Sequence, residues 1–294
     1  MKFPKISVVT PSYNQGEYLE DTIKSVLGQF YPNLEYFVFD GGSTDNTIEI
    51  LNAYGDKITY WESKKDAGQA DAINRGFQMS TGEILLWLNS DDCLMPNVLN
   101  YIAESYTKYG KGIYFGNCIH FRENESAGIY ASGSNVIQRF QTIDLELADT
   151  IIQPASFWSR DVWGEIGPLD SSLHYGFDWE WFLRAKRKSI SFHPFNKPIA
   201  LYRFHEKHKT ANGGNKRQRE LLIIYQSNNK KYAQLFLQLS KEDFAFSWLI
   251  MFIYKIIKFI MGKPFSKVHF IKLLKWRKYF NYTVEEINAC RSML

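Results

Sequence analysis

The sequence contains little cysteine and no hydrophobic run of membrane-spanning length. Its 294 residues include three cysteines, Cys93, Cys118 and Cys290, too few and too scattered for a disulfide framework or a cysteine zinc site. The first ten residues lack the long apolar region of a signal peptide. The longest uncharged apolar run, residues 244–254, is about half the ~20 residues of a membrane-spanning helix. These absences argue against secreted, disulfide-rich and classical transmembrane proteins and favour a reducing, cytoplasmic compartment.

Acidic residues are missing from one long segment. Residues 244–284 contain eight Lys and Arg and no Asp or Glu, whereas the rest of the chain has 27 basic and 31 acidic residues. A nucleic-acid-binding protein usually spreads its basic residues over its working surface. Here they are confined to one aromatic-rich segment, so we expect no nucleic-acid partner. The composition, 45% hydrophobic and 22% charged, is that of a packed globular protein.

The first 120 residues alternate between strand-like and helix-like patterns. Strands are predicted over residues 6–10, 35–40, 58–62 and 83–88. Helices are predicted over residues 17–30, 69–79 and 96–109, and a further helix runs from capping residues at 43–45 to about residue 54. This order predicts an α/β fold with a mostly parallel sheet. Because such folds bind ligands at the carboxyl ends of their strands, the polar loops after the first, second and fourth strands are the candidate site.

Beyond Gly110 the pattern is less regular. We predict strands over residues 112–121 and 190–193, a helix over 178–188, a strand or loop over 200–205 and one helix over 217–239. The predicted organisation is an α/β domain over 1–210, with a division near residue 110, and a helical, basic, amphipathic extension over 211–294.

Two polar segments follow the first two predicted strands. The segment from Thr10 to Asn14 offers hydroxyl and amide donors and a flat tyrosine ring, although an ordinary turn would look the same. In DGGSTD, two glycines let the backbone approach a ligand, and Asp40 can accept hydrogen bonds from a base or ribose. A helix follows, and its N-terminus attracts anions. Neither a P-loop nor a GxGxxG motif occurs in the chain.

Adjacent carboxylates follow the very apolar strand EILLWL, in the order Asn89, Ser90, Asp91 and Asp92. Two like charges at the end of a buried strand repel each other unless a cation lies between them. Oxygen ligands suit Mg²⁺ or Mn²⁺, which often bridge protein carboxylates and substrate phosphates. The alternative is that one aspartate simply begins the next helix.

Three further segments contain candidate residues. Asp71 and Arg75 share one helix face, either as a solvated ion pair or with Arg75 beside a diphosphate. Asp178 lies between large aromatic residues, which would raise its pKa and make it a better base, or it simply begins a helix. His205 is of functional interest only if the fold returns it to the same cleft.

Taken together, these segments resemble the family 2 glycosyltransferases with the GT-A fold. The resemblance covers residues 6–210 and rests on TPSYNQGEYL, DGGSTDNT, KDAGQADAINRG, TGEILLWLNSDD and the block from QPASFW to LDSSLHYGFDWEWFLR. It implies that residues 1–210 are a Rossmann-like α/β/α catalytic domain, with a nucleotide-binding half over 1–110 and an acceptor-side half over 111–210. It further implies a nucleotide-sugar donor, with UDP-sugars favoured. It also implies Mn²⁺ or Mg²⁺ as cofactor.

The resemblance assigns roles to individual positions. Asp178 would be the general base, and Asp91 the last acid of the family's DxD motif. Two positions depart from the family pattern: Asn89 and Gly41 stand where many members have acids. The implied nucleotide-binding residues are Pro11, Ser12, Tyr13, Asp40, Gly68, Asn74, Arg75, Ser90 and Asp91; the implied metal ligands are Asp91, Asp92 and His205; the implied acceptor-side residues are Gln153, Trp179 and Glu180.

The implied reaction is a single displacement that inverts the anomeric carbon. It would move a hexosyl or N-acetylhexosaminyl group to a hydroxyl of a glycan acceptor, lipid-linked, in bacterial surface polysaccharide or glycoconjugate biosynthesis. The alternative from another class is a non-catalytic sugar-nucleotide-binding or membrane-docking scaffold on the same fold. A nucleotidyltransferase would need a Gly-rich, basic phosphate loop near the N-terminus, and residues 11–17 contain none.

The basic segment 244–284 has its own predicted role. Two aromatic and aliphatic stretches, 244–254 and 265–280, are interleaved with lysine and arginine, and Gly262-Lys263-Pro264 separates them into two predicted helices. This is the pattern of helices that lie in a membrane interface. We therefore expect the segment to dock on an anionic membrane, with the protein peripheral on the inner face of the plasma membrane. Alternatively these helices pack on the catalytic domain or form an oligomer.

Overall fold

The structure, a computed structural model, describes residues 3–124, 128–205, 209, 213–241, 248–262 and 266–294. They form two compact units, one of Met1–Phe140 and Thr150–Arg217, the other of Gln141–Asp149 and Gln218–Leu294. The division thus falls seven residues after the predicted boundary at 210. The short segment Gln141–Asp149 joins the second unit through hydrogen bonds such as Tyr225 Oη to the Leu147 carbonyl, 2.6 Å. Nothing in the local sequence pattern signals that contact.

The elements alternate along the first two hundred residues, as an α/β fold requires. In chain order they are β1 (Ile6–Ser12), α1 (Gly16–Leu27), β2 (Leu34–Asp40), α2 (Thr47–Tyr54), β3 (Tyr60–Ser63), α3 (Gln69–Met79), β4 (Ile84–Trp87), β5 (Cys93–Leu94), α4 (Val98–Tyr109), β6 (Ile113–Asn124), β7 (Gly128–Gly133), α5 (Val136–Thr142), β8 (Ser156–Ser159), α6 (Arg160–Ile166), α7 (Phe177–Arg187) and β9 (Phe192–Arg203). The helices that follow are α8 (Gly214–Asn228), α9 (Lys230–Ser240), α10 (Trp248–Met261), α11 (Lys267–Leu274), α12 (Trp276–Tyr279) and α13 (Val284–Arg291).

One mixed sheet organises the first unit. Across the described residues it has nine strands in the order β3-β2-β1-β4-β8-β6-β9-β5, with β7 beside β6. β1 is parallel to β2 and β4, and β2 is parallel to β3. β8 runs antiparallel to β4 and β6. The predicted α/β class is confirmed, and its parallel part places the ends of β1, β2 and β3 at one edge, where Ser12 pairs with Asp40 and Asp40 with Ser63.

Helix α3 lies very close to the parallel strands because Gly76 faces them. A Cβ atom at Gly76 would lie 2.4 Å from Cγ1 of Val9 and 3.2 Å from Cε2 of Phe39, so no larger residue fits. The same close approach brings the Arg75 guanidinium over the Phe39 ring, 5.0 Å from its centroid. The loop and first turn of α3 are thereby fixed beside the carboxyl ends of β1 and β2.

Glu35, on β2, ties the other end of this strand to its neighbours. Its carboxylate accepts hydrogen bonds from Ser7 Oγ at 2.7 Å, Thr81 N at 2.8 Å and Lys5 Nζ at 3.2 Å. Burial alone would raise the pKa of Glu35, but these bonds outweigh it and lower the pKa to about 2. Ionised Glu35 therefore stabilises the fold above its ordinary pKa of 4.5, and this contribution disappears as the pH falls through about 2.

We expect Glu35→Gln to lower the free energy of unfolding at pH 7 by about 2 kcal/mol, since a pKa unit corresponds to ~1.4 kcal/mol and partial exposure reduces the total. Between pH 5 and pH 2 the variant should lose less stability than the parent. Urea unfolding at several pH values measures both effects. The exposed Glu49→Gln is the matched control, and equal acid sensitivity in all three proteins would contradict the assignment.

The second unit is helical, but its first helix is not the single one predicted over 217–239. Asn229 has extended backbone, φ −149°, which ends α8, and its side-chain oxygen accepts hydrogen bonds from Lys231 N at 3.1 Å and Tyr232 N at 3.3 Å. This cap begins α9. The prediction of a single helix over 217–239 was therefore wrong, because two helices with a break at Asn229 occupy this stretch. Gly262, φ 76°, follows α10, while Lys263 and Pro264 lie outside the described residues.

The three cysteines are free and buried. Burial raises the pKa of Cys93 to about 11 and that of Cys290 to about 12, and it also raises the pKa of Cys118. None of the helices in the described ranges is long and apolar enough to cross a membrane.

Candidate active site

Asp40, at the end of β2, fixes the shape of the turn that follows. Its buried carboxylate accepts hydrogen bonds from Gly42 N at 3.1 Å, Ser43 N at 2.8 Å and Ser63 Oγ at 2.6 Å, and also from Ser43 Oγ. Gly42 has a φ of 86°, which favours glycine. The carboxylate oxygens are thus engaged by the chain itself, and the contact of Asp40 with a base or ribose stays a prediction.

Tyr13 and Asp66 both approach Gly41 in this turn. A Cβ atom at Gly41 would lie 3.3 Å from Cδ2 of Tyr13 and 3.2 Å from Oδ2 of Asp66, so a larger residue would press on both side chains. The Tyr13 ring is exposed, whereas Pro11 and Ser12 are buried in β1. An exposed aromatic ring and a carboxylate are groups that can contact a planar base with N–H donors. Asp66 was not among the predicted site residues, although it belongs to the KDAG segment.

Arg75 is held by two carboxylates. It forms an ion pair with Glu62 of β3, and its Nη1 lies 3.8 Å from Asp71 Oδ2. The structure therefore places Arg75 beside β2 and β3 with its charge matched within the chain, and its predicted role near a nucleotide stays untested. Contact with a diphosphate would require Arg75 to exchange one of these partners.

Gly68 and Asn74 shape the segment that precedes and forms α3. Gly68 has a φ of 114° and lies at the N-terminus of α3, with the His174 ring nearby: Nδ1 would be 3.9 Å from a Cβ atom. Asn74 donates to the Leu169 carbonyl and accepts from Leu169 N, both at 2.9 Å. These contacts join α3 to the segment that leads to Asp178, which gives Asn74 a positioning function in the structure.

The acidic pair after β4 divides into one outer and one inner side chain. Asp92 is 1% exposed; its Oδ1 accepts from Arg203 N at 3.2 Å and its Oδ2 from Asn89 Nδ2 at 3.3 Å. Burial, followed by the neighbouring Asp91 charge, raises the pKa of Asp92 well above its ordinary value. Asp91 points elsewhere, and its Oδ2 lies 3.0 Å from Nε2 of His205.

The predicted metal ligands are consequently only partly assembled. In the described part of the chain, no cluster of three or more His, Cys, Asp or Glu side chains could hold a metal ion. Asp91 and His205 meet as predicted, although 114 positions separate them in the sequence. Asp92 does not join them, because the Arg203 backbone and Asn89 occupy its two oxygens. The structure thus brings Asp91 and His205 together and leaves Asp92 apart from them, and the role of the pair as metal ligands stays a prediction.

Residues that sequence reasoning missed hold this pair in place. Gln15 accepts a hydrogen bond from Ser90 Oγ at 3.0 Å and donates to Asp91 Oδ2 at 3.4 Å. Arg203 is buried between the rings of Tyr18 and Phe121 and donates from Nε to the Asp91 carbonyl at 3.2 Å. Since Arg203 ends β9, this strand carries His205 to the loop after β4. The only sequence signal was the nearness of Arg203 to His205.

Asp178 lies in the first turn of α7, half-buried. The ring of Phe177, just before it, packs 6.1 Å from Trp87 at the end of β4, which brings α7 to the same edge of the sheet. Burial raises the pKa of Asp178, while a 2.8 Å hydrogen bond from Trp179 N and the charges of Lys209 and Arg217 oppose that rise. A carboxylate of raised pKa at this edge can accept a proton.

A chain of polar side chains connects this region to the acidic loop. Lys209 Nζ donates to Gln69 Oε1 at 2.7 Å, and Gln69 Nε2 donates to Asn89 Oδ1 at 2.7 Å. The same ammonium lies 5.5 Å from the Phe177 ring centroid. Lys209 therefore places a positive charge between the acidic loop and the start of α7. It lay in the segment searched for His205, but its own role was not predicted.

The three predicted acceptor-side residues have different surroundings. Gln153 is buried and donates to the Trp87 carbonyl at 2.7 Å, directly before the acidic loop. Trp179 is buried in the interior, so its side chain presents no surface to an acceptor. Glu180 pairs with Arg184 along α7, at 2.9 Å. The structure does not gather these three around one surface, and their predicted role stays untested.

The parallel strands, the acidic loop after β4 and the carboxylate on α7 have the arrangement of a GT-A fold. A family model described as Glycosyl transferase family 2 matches residues 7–162, more than half of the chain. The chain therefore belongs to glycosyltransferase family 2, as the resemblance indicated.

Relatives and solved structures agree with this assignment. An uncharacterized glycosyltransferase of Rickettsia typhi is 28% identical over 200 residues, covering 64% of this chain and 61% of that protein. Glycosyltransferase GlyG of Streptococcus pneumoniae is 29% identical over 157 residues, covering 52% of this chain and 51% of that one. The chain thus spans between about half and three fifths of the length of these curated relatives.

Two solved structures share the fold at low sequence identity. Residues 1–349 of Staphylococcus aureus TarS in complex with UDP-GlcNAc match with a TM-score of 0.60 at 15% identity, covering 97% of this chain and 81% of that one. A mannosyltransferase of Pyrobaculum calidifontis in complex with GDP-Man and Mn²⁺ matches with a TM-score of 0.58 at 14% identity, covering 99% of this chain and 74% of that one. The predicted GT-A fold is confirmed.

Proposed function

We propose that this protein transfers a sugar from a nucleoside diphosphate donor, a UDP-sugar, to a hydroxyl of a glycan acceptor with inversion at the anomeric carbon. The observation that carries the proposal is the convergence of the Asp91–His205 pair and Asp178 on one edge of the sheet. Tyr13 and Asp66, which both lie beside Gly41 after β2, are groups that can contact a base. TarS and the Pyrobaculum mannosyltransferase, which share the fold, are recorded with sugar nucleotides.

The donor set fits a divalent cation. Mg²⁺ and Mn²⁺ are commonly held by one or two protein groups together with substrate phosphates and water, so one carboxylate and one imidazole suffice. Asp91 and His205 would hold the ion, which would neutralise charge on the leaving diphosphate. The 3.0 Å between Asp91 Oδ2 and His205 Nε2 shows that both groups already face each other. The Mn²⁺ in the Pyrobaculum enzyme supports this use.

The chain's own residues carry the proposed chemistry. The Asp178 carboxylate accepts the proton of the acceptor hydroxyl while that oxygen attacks the anomeric carbon. The bond between this carbon and the phosphate oxygen breaks on the opposite face, and its electron pair leaves with the nucleoside diphosphate. The diphosphate needs no proton to leave, so a second carboxylic acid is unnecessary. Lys209 adds positive charge on the side of the acidic loop.

A panel of donors tests this function directly. We would incubate the full chain with Mn²⁺ and UDP-glucose, UDP-GlcNAc, UDP-galactose or GDP-mannose, without acceptor, and measure the released nucleoside diphosphate. Slow hydrolysis of one UDP-sugar above the others is the expected result. Nucleotide binding without hydrolysis of any donor, and without transfer to added glycans, would favour the sugar-nucleotide-binding scaffold. Preference for GDP-mannose would keep the reaction class but overturn the choice of base.

Lys209 gives a sharper local prediction. Replacing it by methionine removes the ammonium while keeping the apolar stem, so we expect UDP to bind roughly tenfold more weakly in the presence of Mn²⁺. Lys209→Arg should recover most of the affinity. Lys197→Met is the matched control, because Lys197 also lies over an aromatic ring, that of Tyr101, at 4.0 Å. Isothermal titration calorimetry measures the affinities. If Lys209→Met only lowers the melting temperature, Lys209 is structural.

We also propose the finer biological setting that the sequence suggested. The acceptor would be a lipid-linked glycan in surface polysaccharide or glycoconjugate biosynthesis, and the sugar a hexose or N-acetylhexosamine. The basic, apolar helices of the second unit support work at the inner face of the plasma membrane. Their alternative roles, packing on protein or oligomer formation, are separated by the experiment in the next section.

A further inference from the structure

Helix α10 presents a continuous apolar surface to solvent. Phe252, Ile253, Ile256 and Ile260 are between 41% and 73% exposed, and Phe259 is 90% exposed. At 100° per residue these five side chains fall within a sector of about 120° on the helix. We call this set the apolar stripe. Five large apolar side chains on one exposed helix face form the kind of patch that marks an interaction site.

The side chain of α10 that is buried in its unit lies on a different face from the stripe. Tyr254 is buried and packs against Phe270 of α11, with ring centroids 5.5 Å apart. On the helix, Tyr254 lies about 100° beyond the edge of the stripe. The helix thus has separate structural and exposed faces, and substitutions in the stripe leave the packing of Tyr254 intact.

Positive charge borders the stripe. Lys255 and Lys258 are exposed and lie on the helix between the stripe and the Tyr254 face, opposite the Ile253 edge. On α11, Leu273 and Leu274 are also exposed, next to Lys272 and Lys275 in the sequence. No acidic residue occurs anywhere in 244–284 to neutralise these cations. An apolar surface with a positively charged border is complementary to a partner that has an apolar interior beneath anionic groups.

We propose that the apolar stripe of α10 inserts into the interface of a bilayer containing anionic lipids, with Lys255 and Lys258 at the headgroups. The 14 residues of α10 span ~21 Å, less than the ~30 Å of a hydrocarbon core, so the helix lies along the interface and does not cross it. A second copy of the chain fits less well. Pairing two stripes would bring like-charged lysines together, because the segment offers no acid to receive them.

Vesicle co-sedimentation of the full chain tests this inference. The vesicles are phosphatidylcholine alone or phosphatidylcholine with about one third phosphatidylserine. We expect binding to the anionic vesicles, little to the neutral ones, and weakening by salt. The double variant Phe259→Ser, Ile260→Ser should bind at least about tenfold more weakly, since it loses two apolar side chains that insertion would bury in the bilayer. Lys255→Gln with Lys258→Gln should lose about tenfold on anionic vesicles.

Two controls make the result specific. Phe30→Ser removes an equally exposed phenylalanine, 89% against 90% for Phe259, from the first unit and should leave vesicle binding unchanged. Circular dichroism melting curves should be the same for every variant, which excludes unfolding. The inference does not depend on the proposed function, because vesicle binding is measured without donor or acceptor.

Three outcomes would overturn the inference. The first is no binding to either vesicle type by the parent protein. The second is binding that Phe259→Ser, Ile260→Ser leaves unchanged. The third is an oligomer, seen by sedimentation velocity in the parent and lost in that stripe variant, without any vesicle binding. The last result would assign the stripe to a second copy of the chain.

Discussion

Asp178→Asn is expected to lower the rate of sugar transfer by roughly 10²–10⁴-fold, the usual contribution of a general base, while UDP-sugar affinity changes less than about twofold. An amide of the same shape cannot take the proton from the acceptor hydroxyl. It can still accept the hydrogen bond from Trp179 N, so the start of α7 should persist. Initial rates of transfer and calorimetric donor binding give the two numbers.

The pH profile provides a second measure of Asp178. The base must be ionised, and because burial raises its pKa, kcat/KM should rise with pH through a value above the ordinary 3.8 of an aspartate. That acid limb should vanish from the residual activity of Asp178→Asn. Asp161→Asn is the control, since Asp161 also lies in the first turn of a helix, α6. A variant at Asp178 with near-parental transfer would remove this residue from the mechanism.

The second large effect is expected at Asp91. Asp91→Ala should lose metal-dependent activity by about 10²-fold or more and should bind the donor more weakly, because the carboxylate facing His205 is gone. The parent should lose activity in excess EDTA and regain it with added Mn²⁺ or Mg²⁺. Stopped assays with EDTA and metal add-back measure both. Full activity of the parent in excess EDTA would contradict the metal assignment.

Asp92→Asn is the informative comparison for Asp91. The Asp92 side chain points into the protein, so this variant should keep its response to Mn²⁺. The variant relieves repulsion with Asp91 but leaves an amide NH2 opposite one of the two donors that Asp92 accepts from, so its melting temperature has to be measured alongside the metal response. If Asp92→Asn loses the metal response and Asp91→Ala keeps it, the roles assigned to the two carboxylates are reversed.

Local patterns predicted most of the strands and helices in residues 1–110. The helix predicted over residues 69–79 coincides with α3, and the first four predicted strands correspond to β1 to β4. Hydrophobic periodicity and caps act within a few residues, so one segment contains the information. The capping role of Asn229 is equally local. In a polar, lysine-rich stretch, however, the sequence pattern does not distinguish an asparagine that caps a helix from one within a helix.

The candidate site was harder to predict because its contacts are distant in sequence. Asp91 meets His205 across 114 positions, and Lys209 meets Gln69 across 140. The sequence could name acids with a metal-binding pattern, but it could not say which of two neighbours turns inward. That choice is made by the backbone of Arg203, which donates to Asp92 only after β9 has joined the sheet.

The three buried thiols make the protein a clean background for chemical labelling. Their raised pKa values and burial keep Cys93, Cys118 and Cys290 as unreactive thiols at neutral pH, since alkylating reagents attack accessible thiolates. A cysteine introduced at a single exposed position, such as Phe259→Cys, would therefore be modified alone by a maleimide dye, without removal of any native cysteine. An environment-sensitive fluorophore at that position would report directly on the polarity of whatever surface α10 meets.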